Sequence, residues 1–150
     1  MTNHQRVGIT SNALAGKNFE IVSKTYLEQT LNTFLSKGFA LNLCISNARQ
    51  PKSHKFDLGN DQFLIECKSH RWTSSGNVPS AKITVWNEAM FYFSLAPREI
   101  KKILFVETHH NQKRNKSLAQ YYVDTFSHLI PDNVEIWEYD TELGTHKVIQ

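Results

Sequence analysis

The stretch His54-Lys55-Phe56-Asp57-Leu58-Gly59-Asn60-Asp61-Gln62-Phe63-Leu64-Ile65-Glu66-Cys67-Lys68 holds two apolar runs separated by a polar turn. The first run carries a carboxylate, the second a carboxylate and an amine. Lys55 to Leu58 and Phe63 to Lys68 read as adjacent strands, joined by Gly59-Asn60-Asp61-Gln62. Side chains alternate along a strand, so Glu66 and Lys68 share one face. Phe63-Leu64-Ile65 leads straight into Glu66, and such a run marks a strand covered on both faces. A charge there needs a partner or a metal. Two acids and an amine converging on one face can hold a divalent cation and manage a proton, the equipment that phosphodiester hydrolysis requires.

The turn decides whether Asp57 reaches Glu66. The two acids face each other only if it centres between Asp61 and Gln62. A tight two-residue turn at Gly59-Asn60 pairs Asp57 with Gln62 instead and leaves Glu66 about 13 Å away at strand rise. The residues tolerate both turns. Plainer readings are a solvated Glu66–Lys68 ion pair and an Asp57 that caps the turn.

Upstream, Phe19, Val22, Tyr26, Leu27, Leu31, Phe34 and Leu35 recur at helical spacing. They predict a helix from Leu14 to Lys37, ended by Gly38. Phe39 to Ser46 reads as a strand, and Asn47 to Ser53, with Pro51, as a loop. Downstream, Thr73 to Ser80 is a polar loop. Ile83, Trp86, Met90 and Phe93 form one stripe of a helix from Lys82 to Leu95, with Ser80 or Thr84 as its cap. Lys102 to Thr108 reads as a buried strand, His109 to Lys116 as a basic loop, and Ser117 to Ile130 as a third helix. Val134 to Tyr139 is a strand, and Leu143 to Gln150 adds a short edge strand. Consecutive strands predict an antiparallel meander, and strand-helix-strand predicts a parallel addition to it. The expected class is α/β, a mixed sheet flanked by helices.

The 150 residues, 40% hydrophobic and 21% charged, suit one globular domain with its own core. A net charge of +3 suits a polyanionic partner without demanding one. Cys44 and Cys67 sit in apolar strand-like runs and form no Cys-x-x-Cys pair, so two buried reduced thiols are expected. Met1 to Gly8 is polar and lacks the apolar core of a signal peptide. No run approaches the roughly 18 apolar residues of a membrane span. A soluble, cytoplasmic protein is expected. No glycine-rich phosphate cradle points to a nucleotide cofactor.

The order helix, three strands, helix, strand, with Asp-x8-Glu-x-Lys on the second and third strands, resembles the PD-(D/E)XK nuclease superfamily, the restriction-endonuclease-like fold. The resemblance spans about Leu14 to Tyr139. Asp57 matches the family's first acid, Glu66 the acid of the third strand, and Lys68 the lysine two residues on. Gly16-Lys17-Asn18-Phe19-Glu20 is similar to the Gly-x-x-Phe-Glu element of the family's first helix. Phe56 stands where a proline often precedes the first acid. The resemblance implies an αβββαβ core and a Mg2+- or Mn2+-dependent endonuclease. Its substrate would be DNA, in restriction, repair, recombination or mobile-element biology. Asp57, Glu66 and the backbone carbonyl of Cys67 would be the metal ligands. Glu20 would be a supporting acid, binding metal directly or through water. Lys68 would orient the attacking water, stabilise charge on phosphorus, or serve as base if its pKa is depressed. A homodimer would bring two sites to the two strands. The competing class is a nucleic-acid-binding or protein-interaction module that keeps the fold without cleaving.

On a helical wheel Glu20 falls between Leu27 and Leu31, inside the apolar stripe, where an acid is unusual. Its alternative partner is Lys24, one turn on. Lys52, Lys55, Arg71 and Lys82 flank the proposed site and are candidate phosphate contacts. Trp72 is a candidate for stacking on a base or wedging a duplex, or else an ordinary half-buried indole. His109-His110 and Lys113 to Lys116 form either a second basic patch or a solvated face.

Overall fold

The computed structural model describes residues 8–43 and 50–150. Cys44 and the end of the expected strand, together with the first three residues of the loop expected before the acid strand, lie outside the described residues. The first helix, α1, spans Gly8–Leu31, starting and stopping earlier than its apolar spacing predicts. Asn32 ends it in the left-handed conformation (φ 50°), which its short polar side chain tolerates. Gly38 has positive φ too, but inside the next strand rather than at a helix end. The early stop leaves Phe34, expected on the buried stripe, 71% exposed, whereas Leu35 is fully buried.

Strand β1 (Ser36–Leu43) pairs antiparallel with β2 (Lys52–Gly59), which pairs antiparallel with β3 (Phe63–Lys68). β2 therefore begins at Lys52, inside the expected loop. Helix α2 (Ser80–Leu95) crosses over to β4 (Lys101–Glu107), parallel to β3. Neither Ser80 nor Thr84 caps α2. Pro79 occupies that position with no side-chain bond. The expected basic loop instead contains a two-residue ribbon, β5 (His110–Asn111) with β6 (Lys116–Ser117). Ser117 then caps α3 (Leu118–Phe126) by accepting the Gln120 N–H. β7 (Val134–Asp140) lies parallel to β4, and β8 (Thr145–Val148) closes the edge antiparallel to β7. The six-stranded order is β1-β2-β3-β4-β7-β8. The meander, the parallel addition and the edge strand stand as expected.

Alternation sorts the core into two layers. Leu64, Leu104, Val106 and Ile136 face α2 and α3, packing on Ile83, Trp86, Met90, Phe93, Leu118 and Tyr122. Ile65, Cys67, Ile103, Phe105, Trp137 and Tyr139 face α1, packing on Phe19 and Leu27. Each large apolar side chain fully buried this way contributes about 1.5–3 kcal/mol. Strand β3 is thus covered on both faces, and Glu66 emerges beside Leu64 on the α2 side. Among the described residues no helix is long and apolar enough to cross a membrane.

Strand β2 breaks the alternation. Phe56 belongs to the α2 layer and Leu58, two residues on, to the α1 layer. The strand therefore turns over at Asp57. Gly59 follows, packed so closely that a Cβ would lie 2.9 Å from both Phe39 Cδ1 and the Phe63 carbonyl oxygen.

Candidate active site

The turn between β2 and β3 resolves the register. The Asn60 side-chain oxygen accepts the N–H groups of Gln62 (2.8 Å) and Phe63 (2.9 Å), and the Asn60 N–H bonds the Phe63 carbonyl (2.9 Å). This closure sets Leu58 opposite Ile65 and Gly59 opposite Leu64. It is the turn centred between Asp61 and Gln62, not the tight turn at Gly59-Asn60 that would pair Asp57 with Gln62. The described ladder stops at Leu58 and Ile65. Beyond it the Asp57 side chain takes over the bonding, with Oδ2 accepting the Cys67 backbone N–H at 2.8 Å.

Three of the expected residues meet at this point. Lys68 Nζ lies 2.7 Å from Glu66 Oε2 and 3.7 Å from Asp57 Oδ2, between the two acids. Glu66 is only 6% exposed. Burial pushes its carboxyl up to about 7, Lys68 opposes the rise, and Asp57 adds to it. Burial alone would lower the Lys68 ammonium, but the fields of Glu66 and Asp57 outweigh that and hold it above the usual lysine value. In this state Lys68 is a charged donor to Glu66. The pair is also not the solvated ion pair of a free strand face, because both side chains are largely covered.

Glu20 is linked to the site by charge. It is half-buried on α1. Burial, then Asp57, raises its pKa, while Lys37, Lys68 and Lys17 pull it down. Its expected alternative partner, Lys24, pairs with Glu28 instead.

Sequence reading missed His54. It lies on β2 with Nε2 3.4 Å from Glu66 Oε1. Its ring stacks on Tyr92 of α2 (centroids 3.7 Å apart, planes 11° apart) and meets Phe56 edge-on. Burial lowers its pKa, with Glu88 and Asp57 opposing, so the imidazole is neutral near pH 7. No local signal marks this residue, because its approach to Glu66 depends on how β2 turns over at Asp57.

The expected nucleic-acid contacts separate into two kinds. Lys52, Lys55 and Lys82 are exposed, and Arg71 is exposed while bonded to Glu107 at 2.8 Å. Trp72 is 5% exposed and belongs to the core. Tyr121 meets its ring edge-on, and Arg114 lies over it at 5.2 Å. An indole held in this way is not a surface platform for a base. Its Nε1–H is buried with no partner among the described residues. The ribbon carrying Arg114 braces the loop after Trp72, since Asn111 Nδ2 and Arg114 Nε both donate to the Gly76 carbonyl.

Among the described residues no three His, Cys, Asp or Glu side chains form a ready cage for a metal. What converges is an acid pair, and magnesium typically needs no more from a protein, keeping waters for its other positions. The charge balance suits a cation. With both acids ionised, Lys68 alone offsets only one of them, and neutral His54 adds nothing. A groove of about 360 Å³ bounded by Ser117, Glu138 and Lys147 does not include Asp57, Glu66 or Lys68. Compared with protein-family models, curated proteins and solved structures, the chain shows no match.

Proposed function

We propose that this protein is a divalent-metal-dependent endonuclease that hydrolyses phosphodiester bonds in DNA, built on a restriction-endonuclease-like core. The observation that carries the reading is the placement of Lys68 Nζ between Glu66 Oε2 and Asp57 Oδ2 at the end of the β2–β3 ladder. Buried acids sharing a single ammonium leave room for a cation to relieve them. Asp57, Glu66 and the Cys67 carbonyl would hold Mg2+ or Mn2+, with Glu20 as the supporting acid. When bound, the ion supplies a polarised phosphate and a water of lowered pKa. Lys68, kept charged by its acidic neighbours, stabilises the negative charge that grows on the phosphoryl oxygens. Exposed Lys52, Lys55, Arg71 and Lys82 contribute phosphate contacts that hold the strand in register without reading its sequence. Cutting both strands of a duplex takes two such sites, and a homodimer supplies them.

The test is incubation of the protein with supercoiled, linear and branched DNA plus Mn2+, alongside Lys68→Ala. Cleavage of at least one substrate by the wild type and its loss in the variant is the expected result. Equal products from the two proteins would mark a contaminant and end the nuclease reading. Titration of Mg2+ or Mn2+ into wild type and Asp57→Ala separates the enzyme from a non-cleaving module, which would bind no metal at these acids.

A further inference from the structure

His54 is held on the site by contacts that the reaction outlined above does not use. Its ring is fixed by aromatic packing, the stack on Tyr92 and the edge contact with Phe56. Glu66 is fixed separately, through the bond from Lys68 Nζ to Oε2. The two facing atoms, His54 Nε2 and Glu66 Oε1, are 3.4 Å apart. That is longer than the roughly 2.7–3.2 Å of a good N–H···O bond and far longer than the roughly 2.7–2.9 Å of a charge-assisted one. The hydrogen bond between them is thus long and weak, and by itself does not fix this spacing. Two ligands of one ion, each bonded at about 2.1 Å, lie about 3.0 Å apart at a right angle and about 3.4 Å apart near the tetrahedral angle. The separation falls in that range, and independent supports hold both donors.

We propose that His54 Nε2 is a direct nitrogen ligand of the cation held by Glu66, and that it biases the centre toward Mn2+ or Co2+ over Mg2+. Imidazole suits borderline transition ions, whereas magnesium takes oxygen ligands and dehydrates reluctantly. This inference rests on the reading of Asp57 and Glu66 as metal-holding acids. His54 turns an all-oxygen site into a mixed one.

The experiment titrates Mn2+ and Mg2+ into wild type, His54→Gln and Glu66→Gln by calorimetry. Pulsed electron paramagnetic resonance then records nitrogen coupling to the bound Mn2+. Glutamine keeps an N–H donor of similar reach but has no imidazole nitrogen. Wild type is expected to bind Mn2+ at least tenfold more tightly than Mg2+ and to show nitrogen coupling, which changes isotope when the histidines alone are labelled with 15N. In His54→Gln the coupling disappears and Mn2+ affinity falls by about 10–100-fold, while Mg2+ affinity stays within about threefold. Unchanged Mn2+ affinity or persisting coupling in that variant overturns the ligand role and leaves the acid pair standing. If wild type binds Mn2+ no better than Glu66→Gln, the inference and the nuclease reading fall together. Should His54→Gln not fold, the labelled wild type decides alone, since bound Mn2+ without histidine coupling overturns the proposal.

Discussion

Asp57 Oδ2 accepts the backbone N–H of Cys67 at 2.8 Å, so the first acid of the site is bonded to the strand that carries the second. The bond sits where the described β2–β3 ladder ends. It gives Asp57 a structural duty separate from any metal. The carboxylate satisfies a strand donor and lies 3.7 Å from the ammonium of Lys68.

Asp57→Ala and Asp57→Asn should therefore differ in stability while agreeing in activity. Alanine leaves the Cys67 N–H without its acceptor, at a cost of about 1–3 kcal/mol. Asparagine keeps an oxygen there and should cost less. Both should abolish Mn2+-dependent cleavage. Urea unfolding midpoints set against cleavage assays check the split, and equal destabilisation by the two variants would remove the structural duty.

Glu66 makes stability fall with rising pH. Its carboxyl is raised from 4.5 to about 7 by burial. The folded form therefore holds a proton that the unfolded chain releases above about pH 4.5. The contribution of Glu66 is complete below that pH and is lost as pH rises through about 7. Between pH 5 and 8 the urea midpoint of wild type should fall relative to that of Glu66→Gln, the comparison that isolates this carboxyl from the histidines titrating in the same window. A difference between the two proteins that does not change with pH would contradict the raised carboxyl of buried Glu66.

Lys68→Ala tests the same balance from the other side. Removing the ammonium leaves a buried carboxylate without its partner, at a cost of about 3–5 kcal/mol when Glu66 is ionised. The loss should be large at pH 8 and small at pH 5, where Glu66 is protonated. Cleavage, measured under conditions where the variant is folded, should fall at least about 100-fold.

Two glycines should respond oppositely to alanine. At Gly59 a Cβ would press on Phe39 Cδ1 and the Phe63 carbonyl at 2.9 Å, costing about 1–3 kcal/mol. At Gly16, within α1, no side chain among the described residues lies within 4 Å of an added Cβ. Alanine there should add up to about 1 kcal/mol through helix propensity. Thermal unfolding of the two variants compares them directly.

Trp72 separates core from nucleic-acid contact. Trp72→Ala should cost about 3–5 kcal/mol as a buried aromatic truncation. Charge removal at Lys52 or Lys55 should leave stability alone and lower the salt dependence of DNA binding by about one unit of slope each. Salt-titrated binding assays distinguish the two kinds of residue.

The sequence by itself determined whatever depends on neighbours a few residues apart. Period-two alternation placed Glu66 and Lys68 on one face, and the run Phe63-Leu64-Ile65 marked β3 as covered on both sides. Helical spacing located the three helices and thus the mixed sheet between them. It misplaced the end of α1, because Asn32 and Gly38 both take the left-handed conformation and spacing cannot say which one stops a helix. Only the tertiary structure chose the register. Two turns were open to Gly59–Gln62, and the burial of Leu58 and Ile65 together against α1 favours the one that sets Leu58 opposite Ile65 and brings Asp57 to the Glu66–Lys68 end of β3. The same long-range packing turned β2 over at Asp57, brought His54 from twelve residues away to Glu66 against the ring of Tyr92, and drew Trp72 into the core. Alternation is a local property of the chain. Register and burial are settled between segments far apart in sequence, where the residues of one strand carry no record of what will cover them.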